Sequence, residues 1–146
     1  MVDRIYTPKI LIVEDNRVNQ LLMKKIINRL QCEYYIAENG LEAINALEND
    51  TFSLIFMDCS MPILDGWEAT QKIRNSNKPY SLIPIIAVTA NTTELDKQKC
   101  ITSGMDDFIP KPVNPTAIRA IIDNVLLKTN TALIMQQSDT QLKLLL

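Results

Sequence analysis

Five short apolar runs alternate along the chain with segments in which apolar residues recur every three or four positions. The runs occupy residues 9–13, 33–37, 54–57, 85–88 and 106–109. The first, third and fourth are apolar nearly throughout, which is typical of strands covered on both faces, whereas the mixed second run suits an outer position. The pattern therefore predicts five β-strands that alternate with helices.

Most of the intervening segments carry one predicted buried stripe at helical spacing. The stripes comprise Val18, Leu21, Leu22, Ile26 and Leu30, then Leu41, Ile44 and Leu47, then Ala69 and Ile73, and finally Ile118, Ile121, Ile122 and Val125. The fourth segment has only a thin apolar face around Leu95 and Ile101, and Gly104 is its predicted end. Asn39 and Asp65 are predicted helix caps, because a glutamate stands three residues after each.

Alternating strands and helices predict an α/β fold with a parallel sheet, right-handed crossovers and helices on both faces. The length of 146 residues and the hydrophobic fraction of 47% fit one domain with one compact core. We find no internal repeat. In open sheets of this kind, binding sites lie beyond the carboxyl ends of the strands, so those positions are the first to inspect.

Chemically active side chains follow four of the five predicted strands. Glu14 and Asp15 come after the first, Asp58 after the third, Thr89 after the fourth and Lys111 just past the fifth. Carboxylates about 4 to 5 Å apart repel by roughly 3 to 4 kcal/mol at an effective dielectric constant near 20. A bound cation is the simplest remedy, and an all-oxygen ligand set suits Mg²⁺. The arrangement predicts a magnesium site at this edge of the sheet.

A carboxylate beside Mg²⁺, with an amine and a hydroxyl nearby, can attack a phosphoryl group and hold the resulting acyl phosphate. Asp58 is the best-placed nucleophile, since its predicted strand is central. Each residue alone also has a plain structural interpretation. Glu14 and Asp15 precede a helix cap at Asn16, and an Asp that closes a strand is common. Only the joint arrival of these residues at four strand ends favours a functional site.

Composition excludes several other classes of function. The chain has no histidine, which removes Ser-His-Asp and Cys-His catalysis and every histidine-bearing metal site. The formal net charge of −2 gives no basic field for nucleic acid or anionic membranes. No apolar run approaches the roughly 18 to 20 residues of a membrane helix, and no signal peptide is evident, so we expect a cytoplasmic protein without membrane contact. Three cysteines without C-x-x-C spacing are expected to be reduced structural thiols.

Four segments closely resemble the receiver domain of two-component response regulators, above all the receivers of hybrid sensor histidine kinases. They are "ILIVEDNRVNQ", "LIFMDCSMPILDGWEATQKIR", "IPIIAVTAN" and "GMDDFIPKPV", in the family's order and spacing. The resemblance implies a flavodoxin-like (βα)5 three-layer sandwich with a five-stranded sheet of order 2-1-3-4-5. It implies an N-terminal extension at 1–8, a receiver domain at 9–127 and a C-terminal tail or linker remnant at 128–146.

The resemblance also implies roles for individual residues. Asp58 would be the phosphoacceptor. Glu14, Asp15, Asp58 and the backbone carbonyl of Ser60 would hold Mg²⁺, and Lys111 would pair with the phosphoryl oxygens.

Thr89 and Phe108 match the family's switch pair, although a Phe in an edge strand also packs in a core without any such role. Ser60 and Asn91 stand where the family tunes dephosphorylation. Since neither offers a general base, we expect no extreme rate. Pro112 would follow a cis peptide bond.

The phosphodonor implied by the resemblance is a phosphohistidine on a histidine kinase or a histidine phosphotransfer protein, and output would pass through the face from the fourth helix to the fifth. Such a domain is not a conventional enzyme, since it promotes its own aspartyl phosphorylation and dephosphorylation.

The chain is either a single-domain carrier or the receiver of a larger hybrid kinase, and the residues of its motifs favour the second. For the tail, with Leu142, Leu145 and Leu146, a short amphipathic segment and a disordered one both stay open.

Three other functions remain as alternatives. A receiver-like interaction module that works without phosphorylation is disfavoured because every required side chain is present. An aspartate-based phosphatase would carry a second Asp two residues after the nucleophile, where this chain has Ser60. A flavin- or nucleotide-binding protein would need a glycine-rich phosphate loop, and the chain has only three glycines and neither loop motif.

Overall fold

The computed structural model describes residues 7–128, in which strands and helices alternate. The strands are β1 (Lys9–Val13), β2 (Glu33–Ala37), β3 (Leu54–Asp58), β4 (Ile85–Thr89) and β5 (Asp107–Pro110). The helices are α1 (Arg17–Arg29), α2 (Gly40–Asn49), α3 (Gly66–Arg74), α4 (Glu94–Ser103) and α5 (115–128). The interpretation of the leucines near the C-terminus, and most of the predicted extension and tail, lie outside the described residues.

The five strands form one parallel sheet in the order β2-β1-β3-β4-β5, which confirms the predicted fold class and strand order. β3 and β4 each extend one residue further than the apolar runs suggested. Asp58 and Thr89 are therefore the last residues of their strands and are fixed by the sheet itself. β5 begins one residue later than predicted.

The sheet separates two apolar cores because successive side chains of a strand point to opposite faces. Leu11 and Ile55 face a core shared with α2, α3 and α4. Ile12 and Phe56 face a second core shared with α1 and α5. Both faces of the central strands are covered, which explains why their sequences are apolar throughout.

The predicted caps at Asn39 and Asp65 are confirmed. The Asn39 side chain accepts a hydrogen bond from the Glu42 backbone N–H, and Asp65 accepts one from the backbone N–H of Glu68. Asn16 caps α1 in the same way. Gly104 ends α4 in the left-handed conformation, with φ of 106°, as predicted.

The predicted stripe of α1 is wrong in its first turns. Val18 and Leu21 are 73% and 52% exposed, whereas the buried residues of the helix are Met23, Ile26 and Ile27. Each helical residue advances by about 100°, so Val18 and Leu21 lie roughly 140° and 160° around the axis from Met23. Apolar spacing identified the helix correctly but included residues on its solvent face.

The same difference occurs in α2 and α4. Leu41 is exposed, while Ala43 and Leu47 carry the buried face of α2. In α4, Leu95 and Ile101 are also exposed, and the buried residues are Cys100 and Ser103. The anchoring face of α4 is therefore small and only weakly apolar. Among the helices described, none is long and apolar enough to span a bilayer.

Candidate functional site

The sheet brings the carboxyl ends of four strands, and the residues that follow them, to one edge. Asp58 ends β3 and pairs in register with Val88, one residue before the end of β4. Glu14 directly follows β1, and its backbone N–H donates to the Ala37 carbonyl at the end of β2. Lys111 follows β5, and its backbone N–H donates to the Thr89 carbonyl. The convergence expected from the strand order is present.

Three carboxylates form an acidic cluster, which we define as Glu14, Asp15 and Asp58. One oxygen from each lies within 4.8 Å of the others. Glu14 and Asp58 are only 3% exposed, while Asp15 lies at the solvent side. Carboxylate oxygens at this spacing suit a hard cation that retains water ligands, so the donor set fits Mg²⁺ and does not resemble a zinc site.

Lys111 places a positive charge between the two buried acids. Its Nζ lies 3.2 Å from Asp58 Oδ1 and 3.3 Å from Glu14 Oε2. Burial acts to lower the pKa of Lys111, but the charges of Asp58 and Glu14 outweigh it and hold this pKa above its ordinary value. Lys111 therefore stays protonated and partly neutralises the cluster.

The pKa of Asp58 is nevertheless raised, so its charged form is disfavoured. Burial, together with the neighbouring Glu14, raises its pKa from 3.8 to about 6, although Lys111 and a hydrogen bond from the Ser60 backbone N–H act in the opposite direction. That N–H lies 3.2 Å from Asp58 Oδ1. A carboxylate with a raised pKa is one for which added positive charge is favourable. The cluster thus favours cation binding on electrostatic grounds as well as by its donor atoms.

Two residues that sequence reasoning passed over hold Glu14 in place. The Asn19 side-chain amide donates to Glu14 Oε1 at 2.6 Å, and the Gln20 side-chain amide donates to the Glu14 carbonyl at 2.7 Å. Both amides lie near the start of α1. They stand five and six residues after Glu14, a separation that no general spacing rule singles out, so only the fold relates them to it.

Gly66 is a third positioning residue that sequence reasoning missed. A Cβ at this position would lie 2.2 Å from the Asp58 carbonyl oxygen and 2.9 Å from the Cys59 Cα. The Gly66 N–H donates to the Cys59 carbonyl. The first turn of α3 therefore packs directly on the backbone that carries the proposed acceptor, and only glycine permits this approach.

The loop between these residues is bent sharply at Ile63, which has φ of 70° although it is β-branched. A residue of this kind in the left-handed region is a genuine outlier, and such strain persists only where surrounding contacts impose it. Gly40 supplies one such contact, because its N–H donates to the Leu64 carbonyl. The loop after Asp58 is thus held at Cys59 by the first residue of α3 and at Leu64 by the first residue of α2.

The remaining predicted residues lie on the β4 and β5 side. The Thr89 hydroxyl donates to the Asn91 carbonyl and accepts from the Asn91 N–H, at 3.1 Å in each case. Phe108 is half-buried, and the Lys97 ammonium lies 5.1 Å from its ring centre. The peptide bond between Lys111 and Pro112 is cis, as expected. The Thr89 hydroxyl is therefore engaged with its own loop.

The family model described as "Response regulator receiver domain" matches residues 10–123. Hybrid signal transduction histidine kinase B of Dictyostelium discoideum is 40% identical over 120 residues, covering 75% of this chain and 6% of that protein. Histidine kinase 5 of Arabidopsis thaliana is 35% identical over 144 residues, covering 82% of this chain and 16% of that protein. The chain thus spans a small part of the length of these relatives.

Solved structures give the same result. The receiver domain of sensor histidine kinase PA1611 from Pseudomonas aeruginosa, with a magnesium ion coordinated in its active site cleft, is 33% identical with a TM-score of 0.77, covering 83% of this chain and 98% of that one. A chain of the Saccharomyces cerevisiae co-crystal structure of the phosphotransfer protein Ypd1 with the receiver domain of Ssk1 matches with a TM-score of 0.79 and 33% identity. The match covers 88% of this chain and 94% of that one. This chain belongs to the response regulator receiver domain family of two-component signalling.

Proposed function

We propose that this receiver domain accepts a phosphoryl group on Asp58 from the phosphohistidine of a histidine kinase or histidine phosphotransfer protein. An Asp58 carboxylate oxygen attacks phosphorus, and the bond between phosphorus and the histidine nitrogen breaks with its electron pair left on the nitrogen. The observation that carries the proposal is the position of Lys111, whose ammonium lies 3.2 Å from Asp58 Oδ1 and can pair with phosphoryl oxygens as they arrive.

Mg²⁺ belongs to this proposal as the resident cation. We assign its ligands to Glu14, Asp15, Asp58 and the backbone carbonyl of Ser60. When bound, the ion would neutralise the acidic cluster and supply positive charge to a phosphoryl oxygen. Glu14 is held for this role by its bond from Asn19, and the pKa of Asp58, which burial and Glu14 raise, supports a site that gains from added positive charge.

The signal is proposed to be a change at Thr89 and Phe108. The Thr89 hydroxyl leaves the Asn91 backbone for the phosphoryl group, and the Phe108 ring turns inward, away from Lys97. A tenfold change in population needs about 1.4 kcal/mol, and a near-complete reversal needs about 5.5 kcal/mol. Several charge-assisted hydrogen bonds to one phosphoryl group supply energy of this size.

Ser60 and Asn91 are proposed to set the lifetime of the aspartyl phosphate. Neither side chain is a general base, so we expect no extreme rate of dephosphorylation.

Output is proposed to pass through the face formed by α4, β5 and α5, where an output domain or effector would bind. The setting that we favour is the receiver of a hybrid histidine kinase, because relatives that the chain matches are hybrid signal transduction histidine kinases, and we propose that it works in the cytoplasm. The receiver unit is proposed to span 9–127.

Intact mass measurement with Mg²⁺ and acetyl phosphate tests the proposal. The protein should gain one phosphoryl group, and Asp58→Asn should gain none. Asp123→Asn on α5 is the matched control, since it removes an acid outside the cluster and should phosphorylate normally. An interaction module that needs no phosphorylation would give no adduct in any variant, and a phosphatase would turn over many phosphate esters without accumulating one.

A further inference from the structure

Two thiols from different elements meet beneath α4. The Sγ atoms of Cys59 and Cys100 lie 4.0 Å apart, and each residue is 2% exposed. Cys59 directly follows Asp58, and Cys100 is one of the two buried residues of α4. This contact joins the strand end that carries the acidic cluster to a helix with few other anchors. Cys32 belongs to the core on the opposite face of the sheet.

The two sulfurs need only a small approach to bond. A disulfide places its sulfur atoms about 2 Å apart, so the two Sγ atoms have to come closer by roughly 2 Å. The outer residues of α4 offer little resistance, because Leu95 and Ile101 are exposed. The side chains of α4 that reach α3 include the exposed Lys99, whose ammonium lies 3.8 Å from the Trp67 ring centre and ends a flexible side chain.

We propose that Cys59 and Cys100 form an oxidation site, at which a peroxide joins the two sulfurs as a disulfide and fastens α4 to the strand end that carries Asp58. One thiol attacks a peroxide oxygen, the oxygen–oxygen bond breaks, and a sulfenic acid and one water form. The second thiol attacks the sulfenic sulfur, the sulfur–oxygen bond breaks, and a second water leaves. Each sulfur loses one electron, the peroxide gains two, and the thiol protons end in the two waters.

Burial sets the timing of this reaction. Since neither thiol reaches solvent while α4 is in place, peroxide enters only when the N-terminal part of α4 is displaced, and the disulfide then holds the helix against the sheet. α4 directly follows the loop that bears Asn91 and begins after Thr89, so the cross-link restrains the movement that the proposed switch requires. This consequence for signalling rests on the proposed function, whereas the cross-link itself does not.

The test treats the full chain with hydrogen peroxide in the absence of Mg²⁺ and phosphodonor, followed by alkylation, intact mass and peptide mapping without reductant. We expect a mass lower by two hydrogens, one remaining alkylatable thiol at Cys32 and a peptide pair that links Cys59 to Cys100. Cys100→Ala and Cys100→Ser should both lose the cross-link. Cys32→Ala, the matched control, should retain it. A protein that keeps all its thiols, gains only oxygen or pairs through Cys32 overturns the proposal.

A second arm measures signalling by giving Mg²⁺ and acetyl phosphate to the oxidised and the reduced protein. The oxidised form should gain its phosphoryl group several-fold more slowly, and dithiothreitol should restore the rate. Peroxide-treated Cys100→Ala should show no slowing. Equal rates in a cross-linked sample would overturn the effect on signalling. If neither form gains a phosphoryl group, the proposed function fails while the cross-link, measured without phosphodonor, is judged separately.

Discussion

The acidic corner at the ends of β1 and β3 is held firmly, whereas the segment from β4 to α4 is held loosely. Glu14 receives bonds from Asn19 and Lys111, and Asp58 receives bonds from Lys111 and the Ser60 backbone. By contrast, α4 buries only two residues, and its large apolar side chains face solvent.

This difference separates two tasks. Groups that bind an ion and a phosphoryl group gain most when they are already in position, because no energy is then spent on arranging them. A segment that reports the event must have a second arrangement within a few kcal/mol of the first. The firm corner suits the first task and the loosely held helix suits the second.

One end of α4 is an exception. Arg74 donates to the carbonyls of Gly104, Ser81 and Ile83 and pairs with Asp106 at 2.9 Å. The C-terminal end of α4 is thereby fixed to the end of α3 and the start of β5. Movement of α4 is therefore expected mainly at its N-terminal end, near Thr89.

Gly66→Ala should have the largest effect, because it forces a methyl group into the backbone at Asp58. We expect a loss of about 3 kcal/mol or more in the free energy of unfolding, measured by urea denaturation, together with slower phosphorylation. Gly104→Ala is the comparison. Its methyl group meets the flexible Arg74 side chain, so its cost should be smaller despite the positive φ. Equal costs would mean that the corner is no more rigid than the end of α4.

Arg74→Met should come next. It removes four donated hydrogen bonds and leaves Asp106 without its cation, and we expect a loss of about 2 to 3 kcal/mol in urea denaturation. Hydrogen exchange should accelerate at the C-terminal turn of α4. Arg119→Met, which breaks an exposed pair with Asp123, should cost less than about 0.5 kcal/mol. A similar cost for both variants would contradict the proposed anchor.

Asp58→Asn should stabilise the metal-free protein at pH 7. Because the folded-state pKa of Asp58 is raised to about 6, the wild type loses stability as pH rises from about 4 to about 6, where folding keeps a proton that the unfolded chain releases. The variant lacks this loss, so its advantage in urea denaturation should grow by on the order of 2 kcal/mol between pH 4 and pH 7. Lys111 stays charged across this range and cancels in the comparison.

Mg²⁺ supplies the control for this prediction. The ion should raise the free energy of unfolding of the wild type at pH 7 and should raise that of Asp58→Asn much less. A ligand stabilises a folded protein only to the extent that the protein binds it. An unchanged difference between the two proteins across the pH range would show that burial of Asp58 carries no cost.

Leu95→Ala should have the smallest effect. The side chain is 83% exposed, so the free energy of unfolding should change by less than about 0.5 kcal/mol. Leu47→Ala in α2, a helix of the same length, removes a buried side chain and should cost about 2 to 5 kcal/mol. Urea denaturation of both variants measures how much weaker the anchoring of α4 is.

Sequence reasoning reached the fold because the apolar runs, the helical spacing and the caps all pointed to the same architecture. It also placed Glu14, Asp15 and Asp58 at one edge, since strand ends in a parallel sheet converge. It missed Asn19, Gly66 and Arg74, whose contacts depend on distances that only packing sets. Val18 and Leu41 were misplaced because apolar spacing does not state which side of a helix meets the sheet.

The division of the interior into two cores has a consequence for evolution. Within the described residues 7–128, the buried side chains under α1 and α5 form one cluster and those under α2, α3 and α4 form another, on the opposite face of the sheet. Substitutions in separate layers without shared neighbours combine nearly additively. During evolution, one layer of this domain can therefore change to suit a new binding partner. The opposite layer, which holds the contact between Cys59 and Cys100 and the anchored end of α4, can stay the same.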